Sequence, residues 1–98
     1  MSKFGEIIEA PVPVLLDFYT EWDQSSQEMH AVLRDVAAAL GDKAKVVKID
    51  VAKNETLAAA LRIKGNPTFI IYKNGEMKWR QSGDQDANSL ISLVQQYF

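Results

Sequence analysis

The chain has 98 residues, 47% of them hydrophobic and 24% charged, with a formal charge of −2 at pH 7 and a pI near 5.3. That length predicts one domain over residues 1–98 whose core needs no cross-link, and the absence of cysteine excludes disulfides, thiolate metal sites, iron–sulfur clusters and thiol redox chemistry. Eleven Lys and Arg scattered among thirteen Asp and Glu form no basic stripe, which excludes nucleic acid as a partner, and the single His30 cannot build a histidine metal site.

The elements alternate in period along the chain. Residues 2–9 suit a short helix with Phe4, Ile7 and Ile8 on one face. Pro11 and Pro13 then force an extended approach to Val14-Leu15-Leu16-Asp17-Phe18-Tyr19, a near-continuous apolar run that predicts a central strand buried on both faces. Met29, Val32, Leu33, Val36, Ala37 and Leu40 recur at helical spacing, and Gly41 ends that helix. Ser25 followed by Glu28 predicts a capping box at its start. Residues 46–51 form a second strand, and residues 55–62, after the potential cap Asn54, a third helix. Pro67 to Lys73 is a strand, Asn74-Gly75 a strong hairpin signal, and residues 76–81 the returning strand, with Met77 and Trp79 on one face. A last helix begins after Asp86 and docks through Leu90, Ile91, Val94 and Phe98. The order αβαβαββα implies an α/β fold with helices on both faces of the sheet, with crossovers joining the first two parallel strands and returning to the third.

From Pro13 onward the chain resembles the thioredoxin family. Asp17 matches the family's buried acid, Trp22 the tryptophan before the active-site motif, and Lys48 the lysine near that acid. Gly65-Asn66-Pro67-Thr68 matches the turn with the cis-proline, Lys73-Asn74-Gly75-Glu76 the hairpin, and Gly83 the late glycine beside the groove. The resemblance implies the thioredoxin fold, a central mixed sheet of four or five strands. With no strand before the first helix, strand 46–51 becomes a sheet edge guarded by Lys43, Lys45 and Lys48. The departures are as informative. Asp23-Gln24-Ser25-Ser26 stands where the family carries Cys-x-x-Cys, and Ala31 replaces a proline that kinks the second helix, so a straighter helix is expected.

Thiol–disulfide exchange needs a thiolate attacking sulfur, which a carboxylate and a hydroxyl cannot supply. Two readings of the segment remain open: Asp23, Ser25 or both cap the helix, or Asp23 is a fixed charge standing in for a thiolate and holding the loop for a partner. A hydrolase with Ser25 or Ser26 as nucleophile and His30 as base lacks a nucleophile elbow, an orienting third residue and an oxyanion hole. Burial should raise the pKa of Asp17, with Lys48, a serine hydroxyl or water as its expected partner. In the family this acid exchanges a proton with the buried cysteine, and here there is no thiol to serve. The resemblance further implies a shallow groove at Trp22, Asp23, Asn66, Pro67 and Gly83 that docks an extended segment without needing a thiol. The expectation is a redox-inactive, thioredoxin-like module that binds a protein or extended peptide, without cofactor or metal and as a monomer. The alternative is a family disulfide oxidoreductase, serving cell redox homeostasis, whose cysteines were lost by drift or replaced. The chain carries no apolar leader and no run of about 20 apolar residues, so no membrane role and a cytoplasmic location are expected.

Overall fold

The computed structural model describes residues 3–64 and 67–98. Four strands form one sheet in the order β2-β1-β3-β4: β1 (Val14–Tyr19), β2 (Lys45–Asp50), β3 (Thr68–Lys73) and β4 (Glu76–Ser82). β1 pairs parallel with β2 and antiparallel with β3, which in turn pairs antiparallel with β4. The two apolar runs are therefore the two inner strands, each with five of six residues buried. The lysine-guarded strand β2 lies at the edge as expected, starting and ending one residue earlier than its predicted span. Because β3 runs against β1, the return from β2 to β3 is not a second parallel crossover, which corrects the expected connection.

The period-2 alternation of the inner strands feeds two cores. Leu15, Phe69 and Ile71 face α2 (Gln24–Leu40) and α4 (Ala87–Gln95), packing on Met29, Leu33, Val36, Leu90 and Val94. Leu16, Phe18, Ile70 and Tyr72 face the other way, where Phe4 and Ile7 of α1 (Lys3–Ile8) and Leu57 of α3 (Glu55–Ala60) close the layer. α2 runs without interruption for 17 residues and stops at Gly41, whose φ of 58° few other residues would adopt. Asp86 caps α4 by accepting from the Ser89 N–H at 2.7 Å. Asn74 and Gly75, at φ 53° and 79°, make a turn with both central residues left-handed, and α1 ties it down: their N–H groups donate to Ala10 and Ile8 carbonyls.

Three local expectations fail for identifiable reasons. Ile71 pairs with Trp79 but Tyr72 pairs with Met77, so Lys78 is an inserted residue in β4. That bulge puts Trp79 with Ile71 on the α2 side and the half-exposed Met77 opposite Tyr72 on the other, so the two do not share a face. Asn54 does not cap α3 with its side chain, because its amide donates back to the Asp50 carbonyl at 2.9 Å. α3 itself stops at Ala60, two residues early. There Arg62 N–H donates to Ala59 and Ile63 N–H to Ala58, the paired bonds of a Schellman stop, with Arg62 at φ 55° in the place that usually favours glycine.

A second arginine stabilises that stop. The Arg80 guanidinium reaches from β4 to the carbonyls of Leu61 and Arg62, the latter at 2.7 Å, satisfying groups the helix end leaves unpaired. Arg80→Ala should therefore lower stability by about 1 kcal/mol. Arg62→Gly should raise it by about 0.5 kcal/mol, since the left-handed penalty removed slightly exceeds the entropy a glycine loses on folding. Urea melts of the two variants check both signs, and a destabilised Arg62→Gly variant would show that the left-handed stop carries no strain.

Candidate functional site

The register brings three segments to one end of the sheet. Phe18 pairs with Thr68 and Thr68 with Ser82, so the loop after β1, the start of β3 and the loop after β4 are neighbours. In the first loop the Asp23 N–H donates to the Thr20 carbonyl at 3.3 Å, turning the chain beneath Trp22, which is 78% exposed. Among the described residues it is the most exposed large apolar side chain, ahead of Phe98 and Met77.

Asp23 is the N-cap of α2: its Oδ1 accepts from the Ser25 N–H at 3.1 Å. The expected Ser25–Glu28 box does not form. The helix begins at Gln24, so Ser25 already lies inside its first turn, and Glu28 instead accepts from the Gln24 amide at 3.2 Å. Ser26 is fully buried and its hydroxyl accepts from the Thr20 N–H at 3.4 Å. Both residues at the would-be cysteine positions thus fasten the loop to the helix. Ser26 makes no contact with His30 of the kind a nucleophile needs. The imidazole packs edge-on against Tyr19, ring centres 4.7 Å apart, and its Nε2 lacks a hydrogen-bond partner.

Across from Trp22, the Gly83 N–H donates to the Pro67 carbonyl at 2.9 Å, and Thr68 and Ser82 hydroxyls meet at 3.0 Å. Gly83 sits at φ 101°, and a Cβ built there would meet nothing within 4 Å, so the space above it is open. Asn66 and the cis peptide bond expected before Pro67 lie outside the described residues.

Behind this surface lies Asp17, fully buried on the α2 face of β1. Lys48 is its neighbour across the β1–β2 ladder but remains exposed and forms no ion pair with it, and neither carboxyl oxygen has a hydrogen-bond partner among the described residues. The expected contact with Lys48 or a serine is thus not made: Lys48 stays in solvent and Ser26 serves Thr20. Burial pushes the Asp17 carboxyl up to about 7, against a smaller opposing pull from Lys48. His30 is shifted downward by burial and then by Lys48 and Arg34, with which it lines a shallow hollow of about 150 Å³.

Sequence reasoning missed that hollow, and also an apolar one of about 330 Å³ between Pro11, Val12, Pro13, Lys43 and Phe98 at the opposite end of the sheet. No motif announces either, because their walls come from segments far apart in the chain. Among the described residues no group of three His, Asp or Glu side chains is placed to hold a metal ion. Nor is any helix among them long and apolar enough to cross a membrane.

A mixed four-stranded sheet, helices on both faces, and an acid buried behind a Trp-bearing helix start define the thioredoxin fold. The family model described as Thioredoxin matches residues 1–96, and the chain belongs to that family. It is 43% identical over 95 residues to chloroplastic thioredoxin Y of rice, covering 96% of this chain. The chain spans only 56% of that relative's length. A thioredoxin-like protein of Synechocystis sp. is 36% identical, with 96% of this chain and 90% of the relative covered. Among solved structures, a mutant thioredoxin from Halobacterium salinarum NRC-1 superposes with a TM-score of 0.88 at 31% identity, covering 99% of this chain and 84% of that one. The chain itself has no cysteine at all.

The buried acid makes a pH-dependent prediction. Between about pH 4 and pH 7 the unfolded chain loses the Asp17 proton while the folded chain keeps it, so stability falls over that window and levels off above it. A change from 3.8 to about 7 corresponds to roughly 4 kcal/mol at about 1.36 kcal/mol per pK unit. Asp17→Asn abolishes the dependence. Its stability relative to the parent, from urea melts, should be about 2–4 kcal/mol more favourable at pH 8 than at pH 4. An equal difference at both values would mean that Asp17 titrates normally.

Proposed function

We propose that this thioredoxin-family protein performs no disulfide exchange and instead holds an extended segment of a partner protein in the groove between Trp22 and the Pro67–Gly83 pair. The observation that carries this reading is the use of both motif positions. Asp23 is committed to the helix cap and the buried Ser26 hydroxyl to Thr20, while Trp22 beside them is left in solvent. A loop fixed from both sides is pre-organised, so a partner meets it without a further ordering cost. Trp22 then supplies the kind of rigid aromatic anchor on which binding energy concentrates. An extended segment can lie against backbone at the start of β3, with side-chain preference set by the rim. Chloroplastic thioredoxin z, whose crystal structure defines a type-specific target recognition, is 30% identical over 93% of this chain with a TM-score of 0.84. That likeness supports recognition of a target by this face.

Two measurements test the reading. Insulin disulfide reduction in the presence of dithiothreitol should equal the protein-free blank, and any rate above it sinks the claim of inactivity. Selection of displayed octapeptides on the chain should enrich sequences whose affinity drops about tenfold or more with Trp22→Ala. Enrichment of the same sequences at the same strength on Trp22→Ala would remove the groove from the account.

A further inference from the structure

The two loops that flank the groove carry charge of one sign. The loop of residues 20–23 after β1 and the loop of residues 83–86 after β4 carry Glu21, Asp23, Asp84 and Asp86, and no Lys or Arg. β3 alone separates β1 from β4, so these loops leave the sheet two strand spacings apart, about 10 Å, and flank the strand that begins at Thr68. Asp23 and Asp86 each give one oxygen to a helix cap. Among the described residues the carboxylates of Glu21 and Asp84 have no hydrogen bond or ion pair.

Opposing charges lie outside these two loops. α2 and α4 both begin at this end, and each N-terminus contributes the equivalent of about half a positive charge. Four carboxylates outweigh the two together. The cations on adjoining segments are Lys53 after β2, and Arg62 and Lys64 ahead of Pro67, none of them on the two flanking loops. Trp22, on the first of these loops, exposes an indole whose face attracts a cation, and the space above Gly83 is open.

We infer that the segment held in this groove is basic: an extended stretch of a partner protein carrying Lys or Arg, placed over the Trp22 indole and between Glu21 and Asp84. The inference rests on the groove reading given above. Trp22, Pro67 and Gly83 define the site, and the charges name its occupant. An acidic segment would meet like charge on both sides, and a neutral one would leave Glu21 and Asp84 unpaired. Rim charges act mainly on the rate and selectivity of encounter, so the preference should be sensitive to salt.

The test uses the full chain and three fluorescein-labelled octapeptides alternating Val with Lys, Thr or Glu, with affinity read by anisotropy at about 20 and 200 mM NaCl. The Lys peptide should bind about tenfold or more tighter than the Glu peptide at low salt, with the gap narrowing at high salt. Glu21→Lys combined with Asp84→Lys should reverse the order. Both side chains are exposed and unpartnered, and circular dichroism checks the fold; if the double variant does not fold, Asp84→Asn should shrink the preference instead. Equal binding of all three peptides that is lost with Trp22→Ala overturns the basic partner and leaves the groove reading standing. Tightest binding by the Thr or Glu peptide does the same. A Lys preference untouched by Trp22→Ala places the attraction elsewhere and overturns the inference, and failure of every peptide to bind overturns both readings.

Discussion

Strand β1 is hydrogen-bonded along both edges, to β2 and to β3, and covered on both faces by helices, so every side chain but that of Tyr19 is buried. Its alternation assigns Leu15 to one core and Leu16 and Phe18 to the other, and slipping the register by one residue would exchange the two sets. The same geometry places Asp17 at a fully buried position on the α2 side, with no partner for either oxygen. Ionising it costs roughly 4 kcal/mol, more than the 1.5–3 kcal/mol that burial of one large apolar side chain contributes. The strand therefore tolerates the acid by keeping it protonated over most of the acidic range. Where the carboxyl ionises, the apolar neighbours must offset it.

β1 also sets the position of the candidate site. Its pairing with β3, and that of β3 with β4, brings Trp22, Pro67 and Gly83 to one end although they are 61 positions apart at the extremes. Local bonds then fix the details. Asp23 caps α2, a contact worth about 1 kcal/mol, and Ser26 holds the Thr20 N–H beneath the same turn. A thiol pair would serve this loop less well as a structural clasp, since sulfur is a weak acceptor for backbone N–H groups. The absence of a thiol pair and the fastening of the loop thus rest on the same two residues, Asp23 and Ser26.

What could be read from the chain follows from how local the cause is. The runs Val14–Tyr19 and Thr68–Lys73 announce inner strands because both faces must be apolar, and Asn74-Gly75 announces its turn because both residues accept positive φ. Gly41 and Asp86 mark helix boundaries for equally local reasons. The inserted Lys78 leaves no trace in composition, so Met77 and Trp79 read as partners when the bulge divides them. Arg62 adopts a glycine's conformation, and only the Arg80 side chain arriving from β4 discloses why the helix stops there. The isolation of Asp17 is likewise tertiary: proximity of Lys48 in the ladder did not imply contact, because a long cationic side chain gains more from water than from a desolvated pairing. The groove positions were recognisable through resemblance, whereas the exposure of Trp22 and the open space over Gly83 emerge only from the assembled ends of three strands.

Thiol chemistry lets a protein with a shallow groove hold its target through a transient covalent bond, so weak contacts suffice. A member of the family without a thiol has no such bond, and any residence on a target must come from the contacts themselves. For a groove of this size those contacts are few: one exposed indole, a short length of backbone and the rim. The rim is also the part least constrained by the fold, because the carboxylates of Glu21 and Asp84 make no hydrogen bond or ion pair among the described residues. In the proposed complex selectivity therefore falls to charge, which acts at a distance and at little structural cost, while the indole would limit how fast a captured segment leaves. On that proposal Glu21 and Asp84 supply part of what a thiol pair would.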